Sequence, residues 1–127
     1  MQAQDPGAVT ILLVEDDAGV REIVREFFAM TGYHVLETPG SDEALRIGRE
    51  HAGRIDLLVT DVALRGLTGL ELAERLAALR PGIRVLYMSG SAEGTAARAA
   101  ALEPGKAYLQ KPFSMADLVA KVRQVLN

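Results

Sequence analysis

The chain has 127 residues, of which 49% are hydrophobic, enough for one domain with a buried core. It has no cysteine, which excludes disulfides, thiolate metal sites and cysteine nucleophiles and fits a reducing, cytoplasmic environment. With 17 acidic against 14 basic side chains the net charge is −3, so we do not expect direct binding to nucleic acid. Since no apolar run reaches ~18 residues and residues 1–7 form no secretory leader, we expect no membrane association.

The first half of the chain alternates apolar runs with amphipathic stretches. Residues 9–14 form a continuous apolar run, which is typical of a strand buried on both faces. A helix with one apolar stripe is predicted next, and Gly32 is placed to end it. The stripe consists of Val20, Ile23, Val24, Phe27 and Phe28. Strands are predicted over 33–36 and 55–60, separated by a helix that Ser41 is expected to cap.

The middle of the chain continues this alternation. Thr68 and Glu71 have the spacing of a capping box and open a third helix. The apolar positions of that helix are Leu72, Leu76 and Leu79. Pro81 and Gly82 end it, and a fourth strand is predicted over 83–88.

The last part of the chain contains a weaker helix and a stronger one. Residues 92–102 are rich in alanine, with Leu102 as the one large apolar residue, so a helix here should bury little area. A short strand is predicted over 107–110, and Ser114 is expected to cap the final helix. The inward face of that helix is Leu118, Val122, Val125 and Leu126.

This order of elements determines the predicted fold class. Strand and helix alternate about five times, which indicates an α/β domain with a doubly wound parallel sheet and helices on both faces. We assign residues 1–8 to an N-terminal extension and residues 9–127 to the domain.

Polar side chains follow four of the predicted strands. Glu15 and Asp16 follow the first strand, Asp61 the third, Ser89 the fourth and Lys111 the fifth. In an open parallel sheet these carboxyl ends meet in one crevice, where ligands bind. Carboxylates, a hydroxyl and an ammonium group in one crevice suit Mg²⁺ together with a phosphoryl group.

These residues, in this order, resemble the receiver domain of two-component response regulators from about residue 10 to residue 126. The resemblance implies a flavodoxin-like fold with strand order 2-1-3-4-5. It also implies a His-Asp phosphorelay, in which a histidine kinase or histidine phosphotransfer protein donates a phosphoryl group with Mg²⁺ as cofactor. The acceptor would be a monomer or a weak phosphorylation-dependent dimer. It would act stoichiometrically, through self-phosphorylation and self-dephosphorylation, and would not be an enzyme.

The resemblance assigns roles to single residues. Asp61 is the phosphoacceptor, and its carboxylate is ionised at neutral pH and therefore nucleophilic. Asp16 and Asp61 are implied to bind the metal directly, with Glu15 acting through water and Ala63 through its backbone carbonyl. Asp17 either joins this acidic cluster or caps the first helix, and we favour the cap.

The same resemblance implies a switch. Ser89 would donate to one phosphoryl oxygen and Lys111 would contact another, with a cis bond to Pro112 directing Lys111 into the crevice. Tyr108 matches an aromatic that moves between exposed and buried positions, although a half-buried strand tyrosine is an equal alternative. The output surface is expected to comprise the fourth helix, the fifth strand and the fifth helix.

Two positions leave the lifetime of a phosphorylated form open. Ala63 and Ser91 occupy the positions that influence the access of water in this family, and both are small and uncharged. Arg65 stands where many relatives have proline, so the loop after Asp61 is expected to be more mobile.

Three other functions compete with this interpretation. A haloacid-dehalogenase-type phosphatase needs an acid two residues after its nucleophile, where this chain has Ala63. A nucleotide-binding module would suffer repulsion between phosphate and the acids after the first strand. A phosphorylation-independent docking receiver remains an alternative. We expect His34 and His51 to lie far apart, and with no cysteine in the chain they suggest no zinc site. Both a stand-alone regulator and the C-terminal receiver of a hybrid histidine kinase remain open.

Overall fold

A computed structural model describes residues 9–90 and 94–127 of the chain, which form five strands and five helices in strict alternation. The strands are β1 (Thr10–Val14), β2 (His34–Thr38), β3 (Leu57–Asp61), β4 (Arg84–Ser89) and β5 (Lys106–Gln110). The helices are α1 (Ala18–Thr31), α2 (Ser41–Glu50), α3 (Gly69–Leu79), α4 (Gly94–Ala100) and α5 (Met115–Leu126). The expected extension over residues 1–8 and the expected role of Ser91 lie outside the described residues.

The five strands form one parallel sheet in the order β2-β1-β3-β4-β5, which confirms the predicted fold class and strand order. In this register Asp61 pairs with Met88, and Ser89 pairs with Gln110. Asp61 and Ser89 are therefore the last residues of their strands rather than the first residues after them. Both lie at the carboxyl edge of the sheet, where a ligand crevice is expected.

Helices cover both faces of the sheet because alternate strand residues point to opposite sides. Ile11 and Leu13 of β1 pack in one apolar cluster with residues of α1 and α5, while Leu12 and Val14 pack in a second cluster with residues of α2, α3 and α4. Burial on both faces explains the uninterrupted apolar runs in the strand sequences. The predicted inward face of α5 is confirmed, since all four of its residues are buried.

Most of the predicted helix ends are confirmed. Asp17 caps α1 by accepting a hydrogen bond from the Val20 amide, and Gly32 ends that helix in the left-handed region at φ 100°. Thr68 and Ser114 form capping boxes at α3 and α5. The prediction for Ser41 was wrong.

Ser41 is the first residue of α2 rather than its cap. Gly40 occupies the N-cap position without a side-chain hydrogen bond. The Ser41 hydroxyl instead donates to the Arg65 carbonyl at 3.4 Å. It therefore links α2 to the loop that follows Asp61, a contact between segments distant in sequence.

Three apolar residues predicted to lie on helices are exposed. Leu102 is 87% exposed and lies beyond α4, which ends at Ala100 rather than at Leu102. Ile23 is 59% exposed and Leu79 is 42% exposed, so the buried stripes of α1 and α3 are narrower than the sequence suggested. Among the described residues, no helix combines the length and apolarity needed to cross a bilayer.

Candidate functional site

The expected site residues meet at the carboxyl edge of the sheet. The Lys111 ammonium donates to Asp61 Oδ2 at 2.8 Å and to Glu15 Oε1 at 2.9 Å. The cation that follows β5 therefore joins Asp61, which ends β3, to Glu15, which follows β1. These two residues lie 50 and 96 positions away from Lys111 in sequence. The Lys111–Pro112 bond is cis, as expected, and the Lys111 amide donates to the Ser89 carbonyl at 2.7 Å.

Backbone amides hold the other carboxylate oxygens in this cluster. The Ala63 amide donates to Asp61 Oδ1 at 3.2 Å, and the Asp17 amide donates to Glu15 Oε2 at 3.1 Å. Ala63 thus lies beside Asp61, as expected, although metal binding by its carbonyl stays a prediction. Each carboxylate oxygen keeps a second lone pair for another partner.

Glu15, Asp16 and Asp61 form a group in which one carboxylate oxygen from each residue lies within 4.8 Å of one oxygen from each of the other two. Glu15 and Asp61 are buried, whereas Asp16 is exposed. Two oxygens bound to one Mg²⁺ lie at most about 4.2 Å apart, twice the usual Mg–O distance. The group is therefore the right size for Mg²⁺ with some ligands acting through water, and hard carboxylate oxygens suit that ion.

The electrostatics of the site reflect three acids around one lysine. Burial raises the pKa of the Glu15 carboxyl, and the hydrogen bond from Lys111 only partly opposes this rise. Burial lowers the pKa of Lys111, but its hydrogen bonds to Asp61 and Glu15, together with the negative charges of these acids, more than compensate, so this pKa is raised overall. Lys111 is therefore charged at neutral pH. Burial destabilises the charged form of Glu15, and a bound cation would reduce that destabilisation.

Ser89 lies at the same edge but faces a different partner. It is fully buried, and its hydroxyl donates to the Gly90 carbonyl at 2.6 Å. A hydroxyl rotates freely about its bond, so this hydrogen bond can be exchanged for another acceptor. Its expected contact with a phosphoryl oxygen stays a prediction.

Tyr108 packs inward from β5 towards α4. Its hydroxyl is buried without a hydrogen-bond partner among the described residues, and the Arg98 guanidinium lies 5.2 Å from the ring centroid. Arg98 also donates to the Gln110 side chain at 2.5 Å. The Tyr108 ring as a whole is partly buried, and movement between two positions stays a prediction.

The two histidines are closer than their separation in sequence suggested. His34 begins β2 and His51 follows α2, and their ring centroids lie only 6.4 Å apart. The assumption that they lie far apart was therefore wrong. Of the residues described, only the group of Glu15, Asp16 and Asp61 has three potential ligand side chains this close together, so the histidine pair lacks a third ligand.

The sequence interpretation missed one residue that shapes the site. Gly69 opens α3 and is buried, and its amide donates to the Val62 carbonyl at 2.8 Å. A Cβ atom at this position would lie 2.3 Å from the Asp61 carbonyl oxygen. The glycine therefore allows α3 to begin against the Asp61 backbone, a contact between separate elements that no local sequence signal marks.

Comparisons with known proteins agree with this geometry. The family model for the response regulator receiver domain matches residues 11–123. The sensor kinase CckA of Brucella abortus (strain 2308) is 35% identical over 95% of this chain and 13% of its own length. The receiver domain of the hybrid histidine kinase CckA has a solved structure with a TM-score of 0.78 at 33% identity, covering 93% of this chain and 99% of that one.

A second relative bears on the expected partners. The DNA-binding transcriptional regulator NtrC of Azospirillum brasilense is 33% identical over 94% of this chain and 24% of its own length. With such a relative, the expectation that nucleic acid is not a partner is not supported. The chain spans about half or less of these curated relatives. On the match over residues 11–123 and on its fold, the chain belongs to the response regulator receiver domain family.

Proposed function

We propose that this chain is the phosphoacceptor of a two-component phosphorelay and that Asp61 accepts the phosphoryl group. The observation that carries the proposal is the contact of the Lys111 ammonium with both Asp61 and Glu15 inside a cluster of three acids. Phosphoryl transfer requires a nucleophile, a positively charged hydrogen-bond donor and a site for Mg²⁺. Asp61, Lys111 and the three-acid cluster match these requirements.

The transfer forms one bond and breaks one. An Asp61 carboxylate oxygen attacks the phosphorus of a phosphohistidine, forming a P–O bond and hence an acyl phosphate. The P–N bond of the donor breaks, and its electron pair stays on the imidazole nitrogen, which can then take a proton. Lys111 and the Ala63 amide hold the carboxylate in place and face the phosphoryl oxygens after transfer.

Glu15, Asp16 and Asp61 would hold the metal, with the Ala63 carbonyl as a further ligand. Bound Mg²⁺ would supply charge that offsets the repulsion between the carboxylates and the incoming phosphoryl group. Without it, Lys111 alone faces three acids, and a doubly charged phosphoryl group adds further negative charge. We therefore expect acceptance to depend on the metal.

The donor protein needs a surface beside Asp61 on which to dock. An apolar groove of about 400 Å³ lies between α1 and the segment after β5, and Lys111 itself forms part of its wall. Ile23 and Phe113 are among its apolar residues. Because the groove adjoins the acceptor, we propose that a helix of the histidine kinase or histidine phosphotransfer protein binds there and directs its phosphohistidine to Asp61.

Phosphorylation would then alter a surface of the domain. The phosphoryl oxygens would attract the Ser89 hydroxyl and Lys111, and the change would reach α4, β5 and α5 through Tyr108. This short α4 buries little large apolar surface among its described side chains, so a small free-energy change can shift it. We propose a stoichiometric, cytoplasmic switch that is monomeric or dimerises weakly when phosphorylated, rather than a turnover enzyme.

The test is the intact mass after incubation with acetyl phosphate, in Mg²⁺ or in EDTA, for wild type and Asp61→Asn. We expect one added phosphoryl group in wild type with Mg²⁺, none in EDTA and none in the variant. A thermal melt checks that the variant is folded. Labelling that persists in Asp61→Asn would contradict the assignment. If neither acetyl phosphate nor phosphorylated histidine kinases label the wild type, a docking receiver independent of phosphorylation becomes the better proposal.

A further inference from the structure

Arg21 of α1 contacts the backbone of the acidic cluster. Its Nη1 donates to the Glu15 carbonyl oxygen at 2.8 Å, and its Nε donates to Glu37 Oε1 at 3.2 Å. The Arg21 side chain is only 19% exposed. One guanidinium thus joins the segment between β1 and α1 to an acid near the end of β2.

The Glu15 carbonyl belongs to the peptide plane that leads into Asp16. Because a peptide is planar, fixing the direction of this carbonyl also restricts the backbone of Asp16 and hence the direction of its side chain. The Glu15 amide, on the other side of the residue, donates to the Thr38 carbonyl at 3.2 Å. Both backbone groups of Glu15 are therefore held by neighbouring elements.

Asp16 depends on this backbone support more than the other two acids do. The side chains of Glu15 and Asp61 each accept one amide and the Lys111 ammonium. Asp16 is exposed, and no hydrogen bond or ion pair to its carboxylate is seen within residues 9–90 and 94–127. Its approach to the other two acids is thus determined mainly by the backbone that Arg21 contacts.

Glu37 binds both Arg21 and Arg25 of α1, through separate carboxylate oxygens. Arg25 Nε lies 2.7 Å from Glu37 Oε2, so the two oxygens of Glu37 each bind one arginine of α1. Arg25 shares the acid and the helix with Arg21, but its recorded contacts are with carboxylates and not with the Glu15 carbonyl. It is therefore a matched control that differs in the one contact of interest.

We propose that Arg21 is a positioning residue for the metal site, which fixes the Glu15 carbonyl and thereby orients Asp16 towards the cation. This inference rests on the proposed function, since it concerns the same acids. The direction of the change in Mg²⁺ affinity distinguishes this positioning role from a simple charge effect. Removing a positive charge near three carboxylates should by itself strengthen Mg²⁺ binding, whereas losing the orientation of Asp16 weakens it.

The experiment is titration calorimetry of the full chain with MgCl₂, comparing wild type, Arg21→Ala and Arg25→Ala, with thermal melts in EDTA. We expect Mg²⁺ affinity to fall about tenfold in Arg21→Ala, the size typical of losing a residue that orients a ligand. Arg25→Ala should stay within about twofold of wild type, because it leaves the Glu15 contact intact. Should Arg21→Ala fail to fold in EDTA, Arg21→Lys serves instead. It keeps the charge but removes the planar N–H donors of the guanidinium, and we expect its Mg²⁺ affinity to fall about threefold or more.

Every outcome decides between two interpretations. Weaker Mg²⁺ binding in the Arg21 variant alone supports the positioning role. Equal weakening in both variants, unchanged affinity or tighter binding in Arg21→Ala overturns it while leaving the metal site intact. If wild type itself binds no Mg²⁺, the metal-dependent function fails together with the role of Arg21.

Discussion

The Lys111 ammonium contacts Asp61 Oδ2 at 2.8 Å across the sheet, although β4 lies between β3, which ends at Asp61, and β5, which Lys111 follows. The Lys111 amide bonds to the last residue of that intervening strand, Ser89, at 2.7 Å. Lys111 therefore contacts both the proposed acceptor, Asp61, and the expected switch residue, Ser89. This makes it suited to transmit a change in charge at Asp61.

Replacing Lys111 should separate acceptance from transmission. In Lys111→Ala the Asp61 carboxylate is retained, so we expect labelling by acetyl phosphate in Mg²⁺ to persist. Amide chemical-shift changes in α4 and β5, recorded by NMR on phosphorylation, should largely disappear. In EDTA the variant should lose about 1–2 kcal/mol of stability, because Glu15 and Asp61 then face each other without a cation.

Lys121→Ala is the control for this experiment, since it removes a lysine of α5 outside the cluster. It should show normal labelling and normal chemical-shift changes. Wild-type chemical-shift changes in phosphorylated Lys111→Ala would show that Lys111 does not transmit the signal.

The apolar groove beside Lys111 gives a prediction about the donor. Ile23→Asp places a charge in the groove at a position that is 59% exposed, so the fold should tolerate it. Phosphoryl transfer from the histidine kinase that labels wild type fastest should fall about tenfold, the cost of losing an important interface contact. Labelling by acetyl phosphate should be unchanged, because a small donor needs no docking surface.

Met30→Asp provides a matched control on the same helix. Met30 is 82% exposed and does not line the groove. Both donors should label this variant at the wild-type rate. If Ile23→Asp slowed both donors equally, the groove would be affecting Asp61 itself rather than the docking of a partner.

The sequence was sufficient for features that depend on local pattern. The apolar runs of the strands predicted a parallel sheet, and its topology then brought Glu15, Asp61 and Lys111 to one edge, as the structure shows. The capping boxes at Thr68 and Ser114 were also predictable, since both partners lie within one turn.

Contacts between distant segments were beyond the sequence interpretation. Nothing local distinguishes Ser41 as a cap from Ser41 as a donor to Arg65, because that choice depends on where the loop after β3 lies. The contact of Arg21 with the Glu15 carbonyl likewise needs the orientation of α1 to be known. The proximity of His34 to His51 follows from the packing of β2 and α2 and is invisible in their spacing.

The buried hydroxyl of Tyr108 predicts a stabilising substitution. It has no partner among the described residues, so the folded state carries the desolvation cost of an unbonded polar group. Tyr108→Phe removes that cost and keeps the ring beside Arg98. Thermal or denaturant unfolding in EDTA should show a gain of about 1 kcal/mol.

Tyr33→Phe is the comparison for this gain. The Tyr33 ring is also buried and packs edge-on against Phe28, but its hydroxyl is not among the buried unbonded atoms. We expect no gain in this variant. A loss of stability in Tyr108→Phe would show that the hydroxyl has a partner in solution.

Because Gly69 packs closely against the Asp61 backbone, we expect even a methyl side chain at position 69 to lower both stability and the rate of labelling. In Gly69→Ala the new Cβ would lie 2.3 Å from the Asp61 carbonyl oxygen, a backbone atom that cannot move aside alone. Alanine favours a helix by about 1 kcal/mol over glycine, but relieving this clash should cost more, leaving a net loss of about 1–2 kcal/mol. The shifted Asp61 backbone should also slow labelling by acetyl phosphate at least about tenfold. Denaturant unfolding and intact-mass time courses measure the two effects.

Gly40→Ala separates the clash from the general effect of adding a methyl group. Gly40 is the N-cap of α2, where a Cβ atom meets nothing within 4 Å and the φ of −144° suits any residue. This variant should change stability by only about 1 kcal/mol or less and label at the wild-type rate. If Gly69→Ala labelled as fast as Gly40→Ala, the position of the Asp61 backbone would not limit the reaction, and the packing of α3 against it would serve stability alone.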